Sequence, residues 1–195
     1  MGNVTHASAA KRLIVLSVFE RALIPFRLVF IMWLAFVIQI VHGYPLTFLG
    51  IKPRALSGLL GVFTAPMVHA DLLHLLGNTL PVLFLGSVLF YFYQPVARQV
   101  FFSCYLATNA LVWALSPNPN YHIGASGLVY GLSAFLILFG VFRRKAGSLL
   151  ISLIVFIAYG GIFYGIVPTR PDISWESHLA GALVGISSAI YFRRK

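Results

Sequence analysis

Two residues in this chain are of the types that acyl transfer uses: Ser126, in the run Gly124-Ala125-Ser126-Gly127, and His178, 52 residues later. A serine hydroxyl becomes nucleophilic when a nearby base takes its proton, and histidine titrates in the range that allows it. Ser126 lies just beyond the polar turn Ser116-Pro117-Asn118-Pro119-Asn120, at the expected start of a helix. A hydroxyl there sits near free backbone N–H groups and the positive end of the helix dipole, which suits a developing oxyanion. His74 and Asn78 are four residues apart, which on a helix separates them by about 40 degrees, so they can address one ligand together. His69, five before His74, would lie about 140 degrees away on a continuous helix and is assigned to the approach to that helix. Plainer readings stand beside these: interhelical hydrogen bonding for His74 and Asn78, small-residue packing or a bond to the carbonyl four back for Ser126.

The elements that must position these residues follow from composition. With 59% hydrophobic and 9% charged residues among 195, the chain is an integral membrane protein. A span takes about 20 apolar residues, and the polar breaks leave six stretches: about Leu23 to His42, Leu72 to Tyr93, Arg98 to Leu115, Gly124 to Phe142, Ser148 to Val167 and Ser177 to Phe192. Each must be helical, because lipid offers no partner for backbone groups. Gly127 and Gly131 form a smooth stripe on the fourth, and Gly181 and Gly185 lie on the His178 face of the sixth. Two such stripes allow close backbone approach, which would bring His178 beside Ser126. The stretch from Gly43 to Asp71 holds Pro45, Pro53 and Pro66 but also Phe48, Leu49, Leu56, Leu59, Leu60 and Phe63. It is too apolar for a free aqueous loop and is expected to fold as a partly embedded excursion.

The formal charge of +10 comes from Lys and Arg at the ends of apolar segments, so it is a topology signal and not a nucleic-acid footprint. A cytoplasmic N-terminus puts Lys11, Arg12, Arg21, Arg27, Arg98, Arg143, Arg144, Lys145, Arg193, Arg194 and Lys195 inside, and only Lys52, Arg54 and Arg170 outside. Both termini are therefore expected in the cytoplasm. His69, His74, Asn78, His122, Ser126 and His178 then converge on the outer ends of segments two, four and six, where polar residues in lipid mark function. Lys11 and Arg12 precede a short apolar run, but Glu20 and Arg21 stand where a cleavage site would need small residues, which argues against a cleaved signal peptide. Asn3-Val4-Thr5 matches a glycosylation acceptor on a segment expected inside, and the lone Cys104 is expected to be inert packing.

These residues resemble the rhomboid family of intramembrane serine proteases. His69-x4-His74-x3-Asn78, Gly124-Ala125-Ser126-Gly127 with Tyr130, and His178-x2-Gly181 with Gly185 occur in the family's order, on the second, fourth and sixth of six spans. The resemblance implies an all-α, six-transmembrane-helix bundle of the minimal bacterial or archaeal type, residues 23–195, preceded by a cytoplasmic or interfacial segment 1–22. It implies that Ser126 attacks the scissile carbonyl while His178 carries the proton, a dyad without aspartate. His74, Asn78 and the Ser126 N–H would surround the oxyanion, Tyr130 would lie against the His178 ring, and His69, Gly124, Gly127 and Gly181 would support the site. No metal or cofactor is implied. The partners would be the lipid bilayer and membrane-protein substrates, often single-pass, cut near the outer face of a prokaryotic inner or plasma membrane. Two positions depart from the family: Leu60-Gly61 stands where many members carry Trp-Arg, and Gly86 is followed by Phe90 and Gln94 where many have Gly-x3-Glu-x3-Gly.

Three rivals fit less well. A metalloprotease could enlist His69, Asp71, His74 and His178, but His-Glu-x-x-His is absent and the only glutamates are Glu20 and Glu176. An inactive client-binding relative would typically lack the serine or the histidine. A proton-coupled transporter would carry polar residues through both leaflets, whereas the inner halves here are almost wholly apolar.

Overall fold

The computed structural model describes residues 23–168 and 174–194. The segment 1–22, with Arg170, Asp172 and Lys195, lies outside the described residues. Among the described residues the bundle has six long helical segments: α1 (Leu23–His42), α2 (Leu72–Phe92), α3 (94–115), α4 (Ser126–Arg143), α5 (Ala146–Tyr159, continued as a 3-10 run Gly160–Ile166) and α6 (Trp175–Phe192). Among the described residues, α1, α2, α4 and the α5 run are long and apolar enough to cross a bilayer. The other two differ for visible reasons. In α3 a π-helical turn, Ser103–Ala107, separates Gln94–Phe102 from Thr108–Leu115, and α6 opens on Glu176, Ser177 and His178.

Local chemistry sets the ends. Asp71 caps α2, its Oδ1 accepting from the His74 N–H at 2.8 Å, which satisfies one of the free donors of the first turn. The expected start of the third segment at Arg98 moves back to Gln94, because Pro95 suits a first helical turn, where no N–H is needed. The fourth starts at Ser126 and not at Gly124, whose φ of +99° is incompatible with a helix. Arg143, Arg144 and Lys145 gather where α4 ends, complementing the negative end of its dipole.

The excursion 43–71 is folded as expected, into short turns at Leu46–Leu49, Leu56–Gly58, Gly61–Thr64 and Ala65–Met67. Its carbonyls are held by one face of α3: Tyr105 Oη donates to Phe63 O at 2.6 Å, Asn109 Nδ2 to Val62 O at 2.9 Å and Trp113 Nε1 to Ala55 O at 3.0 Å. Steps of four residues place these three side chains on one stripe. A carbonyl in this setting would otherwise lack a donor, which costs roughly 1–3 kcal/mol.

The core centres on α4, the most buried of the four long apolar helices. Phe135 and Phe139 stack at 4.8 Å, and Tyr93 of the α2–α3 corner packs edge-on against both. Against α6, α4 presents glycine. A Cβ at Gly181 or Gly185 would fall onto the carbonyl oxygens of Gly127 and Gly131 respectively. The two backbones touch because neither side has a side chain in between.

Candidate active site

That contact brings the first turns of α4 and α6 together. His178 Nε2 lies 2.9 Å from Ser126 Oγ. The other ring nitrogen, Nδ1, lies 2.9 Å from the carbonyl oxygen of Gly165. A carbonyl can only accept, so in the neutral ring Nδ1 carries the proton and Nε2 is left as the acceptor for the serine O–H. Tyr130, one turn below Ser126, stacks on the imidazole at 4.0 Å between centroids and 7° between planes. Its hydroxyl donates to Ile162 O. The serine is half-buried and the histidine buried, so the pair meets below the surface of the bundle.

Gly124 joins this turn to α2. A Cβ on Gly124 would lie 2.5 Å from His74 Nε2 and 3.8 Å from Asn78 Nδ2, and its φ of +99° disfavours a side chain in any case. The missing side chain therefore lets the His74 ring pack directly against the Gly124 backbone, which holds His74 and Asn78 beside the Ser126 turn. Asn78 Nδ2 donates one hydrogen to the His74 carbonyl at 2.9 Å, and its second hydrogen remains for a ligand. Among the described residues these elements converge on one end of the bundle: Ser126, His178, His74, Asn78, Gly124 and Tyr130.

His69 sits in the approach to α2, as its spacing suggested, yet its ring meets His74 edge-on at 4.9 Å. The helix begins only at Leu72, so the angle computed for a continuous helix does not apply. Its two ring nitrogens have no hydrogen-bond partner among the described residues. Burial, reinforced by His74, lowers the His69 pKa to about 4, so at neutral pH the ring is uncharged.

A model of the Rhomboid domain matches residues 56–195. The chain belongs to the rhomboid family. It is accordingly an intramembrane serine protease and a multi-pass integral membrane protein, acting on membrane-protein substrates within the bilayer. It is similar to an uncharacterized protein of Mycobacterium tuberculosis, 37% identical over 175 residues, covering 82% of this chain and 70% of that one. A second uncharacterized protein, from Mycobacterium leprae, is 33% identical over 156 residues, covering 72% of this chain and 59% of the relative.

Two features of this candidate site escaped the sequence. Gly165 and Ile162 act through backbone carbonyls in an apolar 3-10 run, where no side chain signals a role. Gly165 must also be small, since a Cβ there would lie 3.1 Å from His178 Nδ1 and against the Tyr130 hydroxyl. The second feature is the bonding of His122. Its Nε2 is 3.0 Å from Ser116 Oγ and its Nδ1 2.5 Å from Ser174 Oγ. Its backbone exchanges both hydrogen bonds with Ile51, each 2.9 Å. Burial lowers the His122 pKa, opposed by the Asn118 carbonyl and the Glu176 carboxylate.

Proposed function

We propose that this rhomboid protease cuts transmembrane segments near the outer face with Ser126 and His178 as a catalytic dyad. The carrying observation is the 2.9 Å approach of His178 Nε2 to Ser126 Oγ, with Nδ1 tied to a carbonyl. Ser126 Oγ attacks the scissile carbonyl as its proton passes to Nε2. The imidazolium remains hydrogen-bonded through Nδ1–H to Gly165 O, which does the orienting work that a carboxylate does in a triad. The negative charge on the substrate oxygen meets the free Asn78 N–H, the His74 ring and the backbone N–H of Ser126. Collapse of the intermediate expels the amine, which takes the proton from His178 and leaves an acyl-enzyme. Water, deprotonated by His178, then releases the acid and restores the serine.

All six helices span the membrane in this reading, residues 23–195 forming one domain with both termini in the cytoplasm and Ser126 opening outward. The eleven-to-three division of Lys and Arg supports that orientation. Substrates are expected to be single-pass proteins whose helices unwind readily. Full-length protein reconstituted with a panel of helix-destabilised single-pass segments should cleave them, and Ser126→Ala and His178→Ala should not. Cleavage that survives in Ser126→Ala would transfer the chemistry to another residue. Cysteines placed at positions 2 and 195 should resist impermeant reagents in intact cells, and outward labelling would invert the topology.

A further inference from the structure

We propose that His122 and Ser174 are positioning residues of the protease, a hydrogen-bonded pair that sets the separation of Ser126 and His178. The inference rests on the dyad reading above. His122 lies four residues before Ser126 and Ser174 four before His178, and each pair is 52 residues apart in sequence. The upper bond thus lies four residues ahead of the dyad on both stretches of chain, joining the loop that leads into α4 to the residue that caps α6.

Both ends of the bond are tied to the dyad by short, well-anchored paths. On the α6 side, the Ser174 carbonyl accepts from the Ser177 N–H at 3.1 Å and from the His178 N–H at 3.3 Å. One residue therefore holds the His178 backbone with its carbonyl and His122 with its side chain. On the α4 side, the Ile51 bridge fixes the His122 backbone, and Gly124 N donates to Ala65 O at 2.9 Å. Two residues on lies Ser126.

One proton order satisfies every contact in the network, since His122 Nε2 also faces the Asn118 carbonyl oxygen at 3.4 Å, which can only accept. Ser116 Oγ accepts from Asn118 N at 3.2 Å and points its own hydrogen toward Asn118 O at 3.4 Å. It then accepts from His122 Nε2–H, which leaves Nδ1 to accept from the Ser174 hydroxyl. Ser174 Oγ in turn lies 2.7 Å from Ser177 Oγ, which donates to it. His122 is 3% exposed, and a buried imidazole with both nitrogens engaged resists rotation.

The need for such a pair follows from the glycine contact. Gly127, Gly131, Gly181 and Gly185 let α4 and α6 touch, but smooth surfaces do not fix register or tilt. The dyad occupies the outermost turns, where a small tilt moves Ser126 and His178 the most. A directional bond above them removes that freedom.

The test compares wild type, Ser174→Ala, Ser174→Thr, His122→Ala and His122→Asn in reconstituted full-length protein. It measures kcat and KM on a single-pass substrate, the rate of fluorophosphonate labelling at Ser126, and thermal melting. A misplacement near 1 Å lowers rate by about 100-fold, so both alanine variants should lose about that much in kcat and labelling with KM unchanged. Their double variant should be no worse than either. Thr keeps the hydroxyl and the Asn oxygen replaces the Nδ1 acceptor, so both should recover most of the rate. Wild-type kcat in folded Ser174→Ala, a loss confined to KM, or failure of both conservative variants to restore rate would overturn the proposal. A wild type unlabelled at Ser126 would remove the dyad and this pair together. Normal labelling of both wild type and variants would remove the pair alone.

Discussion

Replacing Gly181 by alanine adds a methyl group where α6 has none to spare. The new Cβ would fall onto the Gly127 carbonyl oxygen, backbone against backbone, with no flexible side chain to yield. Carbon and oxygen return to ordinary contact only if the helices part by on the order of 1 Å. Gly127 directly follows Ser126, and Gly181 is three residues beyond His178, so the displacement reaches the dyad nearly undiminished. The 2.9 Å bond would then open to roughly 4 Å, past the reach of about 3.2 Å needed for proton transfer. Overpacking of this kind destabilises by about 1–3 kcal/mol, and the rate should fall about 100-fold or more. Thermal melting in detergent and fluorophosphonate labelling kinetics report the two effects separately. Gly77→Ala is the control, since a Cβ there meets nothing within 4 Å, and it should leave labelling unchanged. If Gly181→Ala is labelled at the wild-type rate, helix separation does not govern the dyad and the reasoning fails.

Asn78→Ala removes one oxyanion donor, which typically costs about 2.7–4 kcal/mol in the transition state, so kcat should drop about 100- to 1000-fold with melting little changed. Wild-type turnover there would assign the oxyanion to other groups. Tyr130→Phe keeps the ring stacked on His178 and loses only the bond to Ile162 O, so it should retain most activity and lose about 1 kcal/mol of stability. Tyr130→Ala removes the stack and should lose both. Stability should also fall with acid through His69: its folded pKa of about 4 lies below the ordinary 6.5, so the fold holds the neutral ring. The stabilisation is complete above pH 6.5 and is lost as pH falls toward 4, by about 3 kcal/mol in all. Melting measured against pH should fall more steeply with acid in wild type than in His69→Phe, where the slope of the other buried histidines remains, and identical slopes would refute it.

The residues of the candidate site were legible because chemistry in lipid is conspicuous. His74, Asn78, Ser126 and His178 stand out in apolar runs, and the four paired glycines announce which helices meet. The six helical segments were legible for the same reason, to within a few residues at Gln94, Ser126 and Trp175. What orients His178 was not, because the Gly165 carbonyl belongs to every residue type and leaves no mark in sequence. His122 was visible as a polar residue near the site, but its bond to Ser174 spans 52 residues and depends on how two loops cross. The stripe Tyr105, Asn109 and Trp113 had a readable spacing of four. Its target, the carbonyls of the excursion 43–71, becomes apparent only when that segment is folded against α3. The π turn at Ser103–Ala107 likewise has no proline or glycine to signal it.

The most direct measurement of the dyad is site-resolved labelling. Folded, detergent-solubilised wild type is treated with a fluorophosphonate and the adduct located by mass spectrometry. The account predicts one covalent adduct, on Ser126, absent in Ser126→Ala and severely reduced in His178→Ala although both variants melt like wild type. An adduct on another residue, or full labelling of Ser126 in His178→Ala, would contradict it.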